Sequence, residues 1–259
     1  MSQRIKKFTI LGERCSGTNF LEESISNNFN IEYTAEYGNK HFFCYNNYHH
    51  NSSETLFIGV IRDPIYWLNS FSKELHHVPE KNRKGIVPFL FNEFYSVEEK
   101  KEPNNVVYSN GHIFFMNNKI NSDNNKIIQK DLNYLNGKKY KNIFELRKLK
   151  NNFLMNVMPS KVKNYILINY EDLLYNYDQI LKQIKEKFDL MQKYPEFIRI
   201  KKYKKSETYN FVKQREITFS LKIIKIIWSR LDLEQEKLLG YIPYDNNNFF
   251  KNKFKQEKL

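Results

Sequence analysis

The chain has 259 residues with a formal net charge of +13, and 41% of its residues are apolar. This composition is typical of a folded protein rather than a disordered one, and the lack of any run of about 18 apolar residues argues against a membrane span. The positive charge is compatible with a polyanionic partner or with AT-rich codon usage, but no zinc-finger, RNA-binding or basic-zipper motif is present, so nucleic acid is not expected as a partner.

The first predicted elements are a strand over residues 8–11 and a helix over 18–29, joined by a glycine-containing loop. Gly12 and Gly17 have the G-x-x-x-x-G spacing of a phosphate-binding loop, in which backbone N–H groups and the helix N-terminus bind anionic oxygens. The Lys-Ser/Thr pair that ends the loop of a metal-dependent NTPase is missing, which argues against ATP hydrolysis. A strand-to-helix turn without any ligand is the alternative.

Several side chains of this loop suit an anion. Arg14 offers a planar fork of donors, and Ser16 and Thr18 offer hydroxyl groups. The helix N-terminus could activate the thiol of Cys15, although a small side chain that is simply tolerated there is the alternative. Cys15 and Cys44 have neither a disulfide framework nor a metal-ligand spacing, and no signal-peptide stretch begins the sequence, so we expect a reducing, cytoplasmic location.

The second predicted strand covers residues 56–61 and leads into a helix that begins at Pro64. Arg62 at the strand end and Ser70 in the helix are separated by about two turns, or ~12 Å of helical rise. A bend at Pro64 would let both contact one phosphate group. The alternative is that Arg62 pairs with Asp63 or Glu171 and that Ser70 merely faces a neighbouring helix.

The rest of the chain continues the alternation of strands and helices, which predicts an α/β protein. Residues 79–142 are polar and weakly patterned and are interpreted as an insertion on the acceptor side of the same domain. The sequence predicts one domain over 1–244 and a basic, flexible tail over 245–259. The further predicted elements are helices over 142–158, 219–231 and 234–239, a strand over 165–168 and a helix that ends near residue 188.

Four segments, in order along most of the chain, resemble the sulfotransferase family that uses 3′-phosphoadenosine 5′-phosphosulfate (PAPS). They are R-C-S-G-T-N-F at 14–20, V-I-R-D-P-I-Y-W-L-N-S-F at 60–71, N-Y-E-D-L-L at 169–174 and W-S-R-L…E-K-L-L-G-Y at 228–241. The resemblance implies a P-loop-like three-layer fold with a central parallel sheet flanked by helices. It also implies transfer of a sulfuryl group from PAPS to a hydroxyl acceptor without a metal.

The resemblance further implies which residues bind PAPS. The glycine loop would hold the 5′-phosphosulfate, a strand-end arginine and a helix serine would hold the 3′-phosphate, and a late basic loop would close over the nucleotide. These residues are Arg14, Cys15, Ser16, Gly17, Thr18, Asn19, Arg62, Ser70, Lys204 and Lys205. The family usually has Lys or Arg before the loop serine, where this chain has Cys15, so Arg14 is expected to neutralise charge on the leaving group. For the late lysines, a solvated charge run is the alternative.

The resemblance also implies a general base for the acceptor hydroxyl. Lys40-His41 matches a K-x-H-like element between the two nucleotide motifs, so His41 is expected to accept the proton and Lys40 to stabilise the transferring group. The alternative bases are His76, His77 and Glu74. The favoured acceptor is a carbohydrate hydroxyl, with tyrosine or a small alcohol as alternatives.

Two other function classes stay open at this point. A nucleotide-binding, kinase-like phosphotransferase would share the glycine loop, although the missing Lys-Ser/Thr argues against it. An inactive protein that keeps the fold and binds polyanions would account for the charge without any chemistry.

Overall fold

The computed structural model describes residues 4–48, 52–98, 126–202 and 216–243, together with the backbone of two strands between 106 and 115. The chain divides into two units, Met1–Thr218 and Phe219–Leu259. This division falls inside the domain that the sequence predicts over 1–244, and the predicted tail lies outside the described residues. Across the described ranges, no helix has the length and apolarity needed to cross a membrane.

A parallel sheet forms the centre of the first unit. The strands in the described residues are β1 (Lys7–Leu11), β2 (Glu32–Tyr33), β3 (Thr55–Ile61), β4 (Val106–Ser109), β5 (His112–Phe115) and β6 (Tyr165–Asn169). Four of them make one sheet in the order β2-β1-β3-β6 with every pairing parallel, whereas β4 and β5 pair only with each other, antiparallel. The predicted central parallel sheet is therefore confirmed.

Helices flank this sheet, as the α/β prediction requires. The first unit contains α1 (Thr18–Asn28), α2 (Pro64–Phe71), α3 (Glu80–Arg83), α4 (Ile86–Phe91), α5 (Ile143–Asn152), α6 (Met158–Lys161), α7 (Tyr170–Tyr175) and α8 (Tyr177–Phe188). The second contains α9 (Leu221–Trp228) and α10 (Leu233–Leu238). Strand β3 is buried at all seven of its positions, because a central parallel strand has both faces covered.

One hydrophobic core lies between the sheet and helices α1, α7 and α8. Leu21 and Ile25 of α1 and Leu181 of α8 belong to the same buried cluster as Phe8 of β1 and Ile58 of β3. Burying apolar surface of this kind stabilises the fold by roughly 1.5–3 kcal/mol per large side chain. This packing holds both the strand before the glycine loop and the helix after it, so it also determines where the loop lies.

The helix predicted over 142–158 is longer and less regular than expected. Helix α5 passes into a π-helical segment, Phe153–Val157, and then into α6, which ends at Lys161. Pro159 has no N–H to donate to the preceding turn, and a widened turn directly before it accommodates that loss.

The described parts of the segment 79–142 contribute buried residues to the first unit. Phe94 and Tyr140 are fully buried and form an antiparallel bridge between the two ends of the segment. Asp131, in a short 3₁₀ helix, is 1% exposed. The weak sequence pattern of this segment reflects short elements, such as α3 and α4, rather than an absence of packing.

Candidate functional site

The glycine loop, residues 12–17, lies at the carboxyl end of β1. In the sheet order, β2 lies on one side of β1 and β3 lies on the other. The order of strands along the sheet therefore reverses next to β1, between β1 and β3. Open parallel sheets bind ligands in the crevice at such a point, beyond the carboxyl ends of the strands. Arg62 directly follows β3, so the topology brings the two predicted phosphate motifs to the same crevice.

Both glycines of the loop are required by close contacts. A Cβ atom at Gly12 would lie 2.7 Å from Cγ1 of Val60 in β3. Gly17 has a left-handed backbone with φ of 88°, and a Cβ there would lie 2.1 Å from Cδ2 of Tyr170. The loop is therefore pressed against β3 and against the first residue of α7, which explains the G-x-x-x-x-G spacing in steric terms.

The N-terminus of α1 is formed by Gly17 and is not capped by any side chain in the described part of the chain. The first N–H groups of an α-helix have no partner within the helix, and they attract negative charge. Ser16 and Thr18 are both buried beside these groups. The loop thus presents the donors of an anion site.

Arg62 supplies the second part of the crevice. Its Nη1 donates to the carbonyl oxygen of Cys15 at 3.0 Å and to Oγ of Ser70 at 3.1 Å. The guanidinium lies 4.8 Å from the centre of the Tyr170 ring. The predicted proximity of Arg62 and Ser70 is thus present, and a hydrogen bond joins them directly.

The guanidinium of Arg62 also has a buried donor that these two bonds do not use. The residue is only 8% exposed, and its Nε is buried without a hydrogen-bond partner among the described residues. A buried N–H of a charged group without a partner is costly, and such a group commonly marks the position of a ligand or an ordered water. Oδ1 of the neighbouring Asp63 accepts from the N–H groups of Ile65 and Tyr66 and so caps the N-terminus of α2.

Lys40 and His41 also contact the glycine loop and the start of α1. Nζ of Lys40 donates to Oδ1 of Asn19 at 2.7 Å and pairs with Glu22 at 3.0 Å, which places an ammonium beside the first turn of α1. The carbonyl oxygen of Lys40 accepts from the N–H of Gly12 at 3.0 Å. The K-x-H-like element therefore lies against the glycine loop.

The His41 ring is oriented by the same glycine. Its Nδ1 lies 2.8 Å from the carbonyl oxygen of Gly12. A carbonyl can only accept, so Nδ1 carries the proton and Nε2 carries the lone pair. Burial lowers the pKa of His41 to about 3, which keeps the ring neutral at pH 7. The ring is thus held in the tautomer that can accept a proton at Nε2.

A buried ion cluster lies behind the loop and consists of Glu13, Arg14, Asp131 and Lys150. Lys150 pairs with both Glu13 and Asp131, and Arg14 pairs with Glu13 at 2.8 Å and with Asp131 at 3.3 Å. All four side chains are at most 9% exposed. Two carboxylates and two cations balance, as a buried cluster requires.

The pKa values in the buried ion cluster follow from its geometry. Burial by itself would raise the pKa of Glu13, but Lys150 and Arg14 outweigh it and lower this pKa to about 2. Burial raises the pKa of Asp131 above its usual range. Burial opposes the charge of Lys150, but the two carboxylates raise its pKa by more. The ionised form of Glu13 is therefore part of the folded structure at neutral pH.

Arg14 lies in this cluster rather than among the helix N–H groups. Besides its two carboxylate partners, its Nη1 donates to the carbonyl oxygen of His76 at 2.8 Å, and its guanidinium lies 4.7 Å from the Phe71 ring centre. The side chain is 5% exposed. Its carbonyl oxygen accepts from Nε1 of Trp67, which ties the loop to α2. Arg14 thus holds the loop, and its predicted role at the leaving group stays a prediction.

Cys15 differs from the activated thiol considered above. Burial, and then the nearby Glu74 carboxylate, raise its pKa to about 12, which keeps the thiol protonated. Its φ of 63° is left-handed, so the residue turns the chain sharply. Its contribution to the crevice is its carbonyl oxygen, which Arg62 holds.

The alternative bases, Glu74, His76 and His77, lie in the segment that follows α2. The carbonyl of His76 holds Arg14, and Nδ1 of His77 lies 2.9 Å from the carbonyl oxygen of Val97, with its ring edge against Phe42. Glu74 lies close enough to influence the Cys15 thiol. The late lysines, Lys204 and Lys205, fall outside the described residues.

Glu13, Asp131, Lys150 and Tyr170 were not singled out by the sequence. Glu13 and Lys150 are 137 positions apart, so no local spacing connects them. A usable signal was present only for Glu13, which stands between Gly12 and Arg14 in the loop itself.

Comparisons with known proteins add no family assignment. No family model matches the chain, and neither a curated protein nor a solved structure was found to match it.

Proposed function

We propose that this protein is a PAPS-dependent sulfotransferase that moves a sulfuryl group to an acceptor hydroxyl, with carbohydrate as the favoured acceptor. The observation that carries the proposal is Arg62. Its guanidinium is bonded to both Ser70 and the glycine loop, and its Nε is buried without a partner at the carboxyl edge of the sheet.

The Arg62 arrangement suits a second phosphate near the first. A phosphate beside Ser70 would take the Ser70 hydroxyl and the unused donor of Arg62 as charge-assisted hydrogen bonds. An anion on the helix N–H groups of the loop would be a separate group, because Arg62 holds the carbonyl of Cys15 between them. Two anionic groups on one nucleotide are what PAPS has and AMP lacks.

The loop side of the crevice offers charge without a phosphate-loop lysine. The ammonium of Lys40 lies beside the first turn of α1 and is partly exposed, so it can approach an anion bound there. Sulfuryl transfer resembles phosphoryl transfer, in which positioning and charge neutralisation supply most of the catalysis. Lys40 therefore takes the cationic role in this proposal, and Arg14 supports the loop.

His41 is assigned as the general base. Its Nε2 carries the lone pair and would accept the acceptor's hydroxyl proton, while the bond to Gly12 stabilises the charged ring that results. A base with a pKa of about 3 is weak, but an anion bound at the loop favours the imidazolium and raises that pKa. Proton acceptance would thus become favourable only when the donor is bound.

The first test is calorimetric titration of the whole chain with adenosine 3′,5′-bisphosphate, with AMP and ATP-Mg²⁺ as controls. Ser70→Ala is expected to weaken bisphosphate binding by at least tenfold, because a hydrogen bond to a charged group contributes about 1.5–3 kcal/mol. Ser72→Ala is the matched control, since Ser72 donates to the Asn69 carbonyl. AMP binding should change in neither variant.

The titration separates the proposed function from the other two classes. Preference for ATP-Mg²⁺ over the bisphosphate would favour a kinase-like phosphotransferase. Binding of heparin-like polymers without any nucleotide would favour an inactive polyanion-binding protein.

His41→Ala tests the assigned base with PAPS and a panel of oligosaccharides. Turnover should fall at least a hundredfold while bisphosphate affinity stays within about threefold, since general bases contribute about 10²–10⁴ in rate. His76→Ala is the control. Unchanged turnover in His41→Ala would remove the assignment and move the base to His76, His77 or Glu74.

A further inference from the structure

The buried ion cluster has no part in the chemistry proposed above, yet it includes two residues of the glycine loop and contacts His41. Lys150 comes from α5, Asp131 from a 3₁₀ helix, and Glu13 and Arg14 from the loop. Isolated buried cations are rare because desolvation is expensive. A lysine that is 2% exposed therefore calls for a specific reason.

The ammonium of Lys150 has three partners at this place. Its Nζ donates hydrogen bonds to the carboxylate of Glu13 and, at 2.8 Å, to the backbone carbonyl oxygen of His41. It also forms an ion pair with the carboxylate of Asp131. The bond to His41 is not needed for charge balance, and it reaches the residue assigned as the base.

The bond from Lys150 completes a set of ties on residues 40–41. The carbonyl of Lys40 accepts from the N–H of Gly12, and the His41 ring donates to the carbonyl of the same glycine. These two bonds hold the K-x-H-like element to Gly12 of the glycine loop, and the Lys150 bond holds it to α5. The His41 N–H also donates to Oδ1 of Asn39 at 2.7 Å, so these four bonds leave the His41 peptide little freedom to rotate.

The same lysine acts on the loop through Glu13. One carboxylate oxygen of Glu13 accepts from Lys150, and the other accepts from both the backbone N–H and Nε of Arg14, at 2.7 and 2.8 Å. Lys150 thereby orients the carboxylate that fixes the chain direction at Arg14. The N–H of Ser16 donates to the carbonyl oxygen of Glu13 at 3.1 Å, and the N–H groups of Thr18 and Asn19, which follow in the first turn of α1, have no partner within the helix and can bind an anion.

We propose that Lys150 is a positioning residue that holds the His41 peptide and the first half of the glycine loop, so that the His41 ring keeps its bond to Gly12. The effect on turnover rests on the proposed function. The effect on the ring itself does not, and it can be measured without any substrate.

The variant design follows from the charge balance. Lys150→Met leaves two buried carboxylates against one guanidinium and is expected to destabilise the chain. Adding Asp131→Asn restores the balance, with Glu13 against Arg14, while the bond to the His41 carbonyl stays absent. Lys148→Met is the matched control, because Lys148 is an exposed lysine of the same helix.

The measurement is ¹⁵N NMR of the His41 ring in the full chain, assigned by its loss in His41→Ala. In the parent protein and in Lys148→Met, the two ring nitrogens should give the separate signals of one neutral tautomer. Asp131→Asn alone should keep them, since Lys150 still holds Glu13 and His41. In the double variant the signals should converge towards the average of two tautomers, and bisphosphate affinity should fall about tenfold.

The other possible results also decide whether Lys150 positions His41. Unchanged His41 signals in a folded double variant would overturn the proposal, as would equal loss in Asp131→Asn alone. A double variant that does not fold would make Lys150 a folding residue and would also overturn it. If the ring signals converge but the parent protein binds no bisphosphate, the positioning role stands and the proposed function fails.

Discussion

Removal of the Glu13 charge is expected to destabilise the first unit by about 3 kcal/mol at pH 7. The pKa of Glu13 is lowered from 4.5 to about 2 by Lys150 and Arg14, against the opposing effect of burial. Each pKa unit corresponds to about 1.4 kcal/mol, which gives the stated magnitude. Glu13→Gln keeps the shape and removes the charge, and breaking a buried ion pair typically costs 3–5 kcal/mol.

The sign of the pH dependence follows from the same shift. A carboxyl group with a depressed pKa in the folded state stabilises the protein above pH 4.5, and this contribution is lost as the pH falls through about 2. Asp131 acts in the opposite direction, because burial raises its pKa and protonation relieves that cost. The difference between the parent protein and Glu13→Gln should therefore shrink from pH 5 to pH 2.

The assay is urea unfolding followed by tryptophan fluorescence. The chain has two tryptophans, so in a Trp228→Phe background the signal comes from Trp67, which bonds to the glycine loop in the first unit. Glu22→Gln is the control, because Glu22 is 30% exposed and pairs with Lys40 at the surface, where ion pairs contribute at most about 1 kcal/mol.

A loss below about 1 kcal/mol in Glu13→Gln, equal to that of the control, would refute the reasoning. So would a difference between the two proteins that stays constant from pH 7 to pH 2, because the contribution would then not depend on ionisation of Glu13.

Three further outcomes are expected. In urea unfolding, Gly17→Ala should destabilise the first unit by several kcal/mol, whereas Gly137→Ala should destabilise it by only about 1 kcal/mol. Both glycines have positive φ, but a Cβ at Gly137 meets nothing within 4 Å. Equal losses would contradict the steric argument. Glu22→Gln should raise bisphosphate affinity about fivefold in calorimetry by releasing Lys40 and removing a negative charge near the helix N-terminus; weaker binding would contradict this. Cys15 should react with iodoacetamide at pH 8 about a thousandfold more slowly in the folded chain than in the urea-unfolded chain, because burial raises its pKa to about 12. Mass spectrometry measures both rates, and similar rates would show an accessible thiolate.

Much of the fold could be predicted from the sequence because its strands and helices depend on local residue patterns. The buried run of β3 and the apolar residues before Gly12 predicted two strands, and the sheet pairs them in register. Their parallel arrangement was implied by the family resemblance. The pairing of Arg62 with Ser70 was predictable because eight residues across a proline-started helix bring both to one side. Element ends were less accurate, as the π-helical continuation of α5 shows, because tertiary packing decides where a helix stops.

The buried ion cluster was not predictable, and it changes the interpretation of Arg14. A loop arginine beside a glycine suggests an anion ligand, but Glu13, Asp131 and the Phe71 ring enclose it instead. Asp131 lies in a segment with weak patterning, and its partner Lys150 lies on a helix where lysine normally indicates a solvated face.

The sequence by itself determined the α/β class, the position of the glycine loop and the Arg62 motif, because each depends on residues within about ten positions of one another. Only the tertiary structure decided which charged groups face the crevice. Arg62 and Lys40 lie there, whereas Arg14 and Lys150 are enclosed behind the loop. The physical reason is that a cation can be buried only where carboxylates from distant parts of the chain meet it, and the fold alone brings Glu13 and Asp131 to that place.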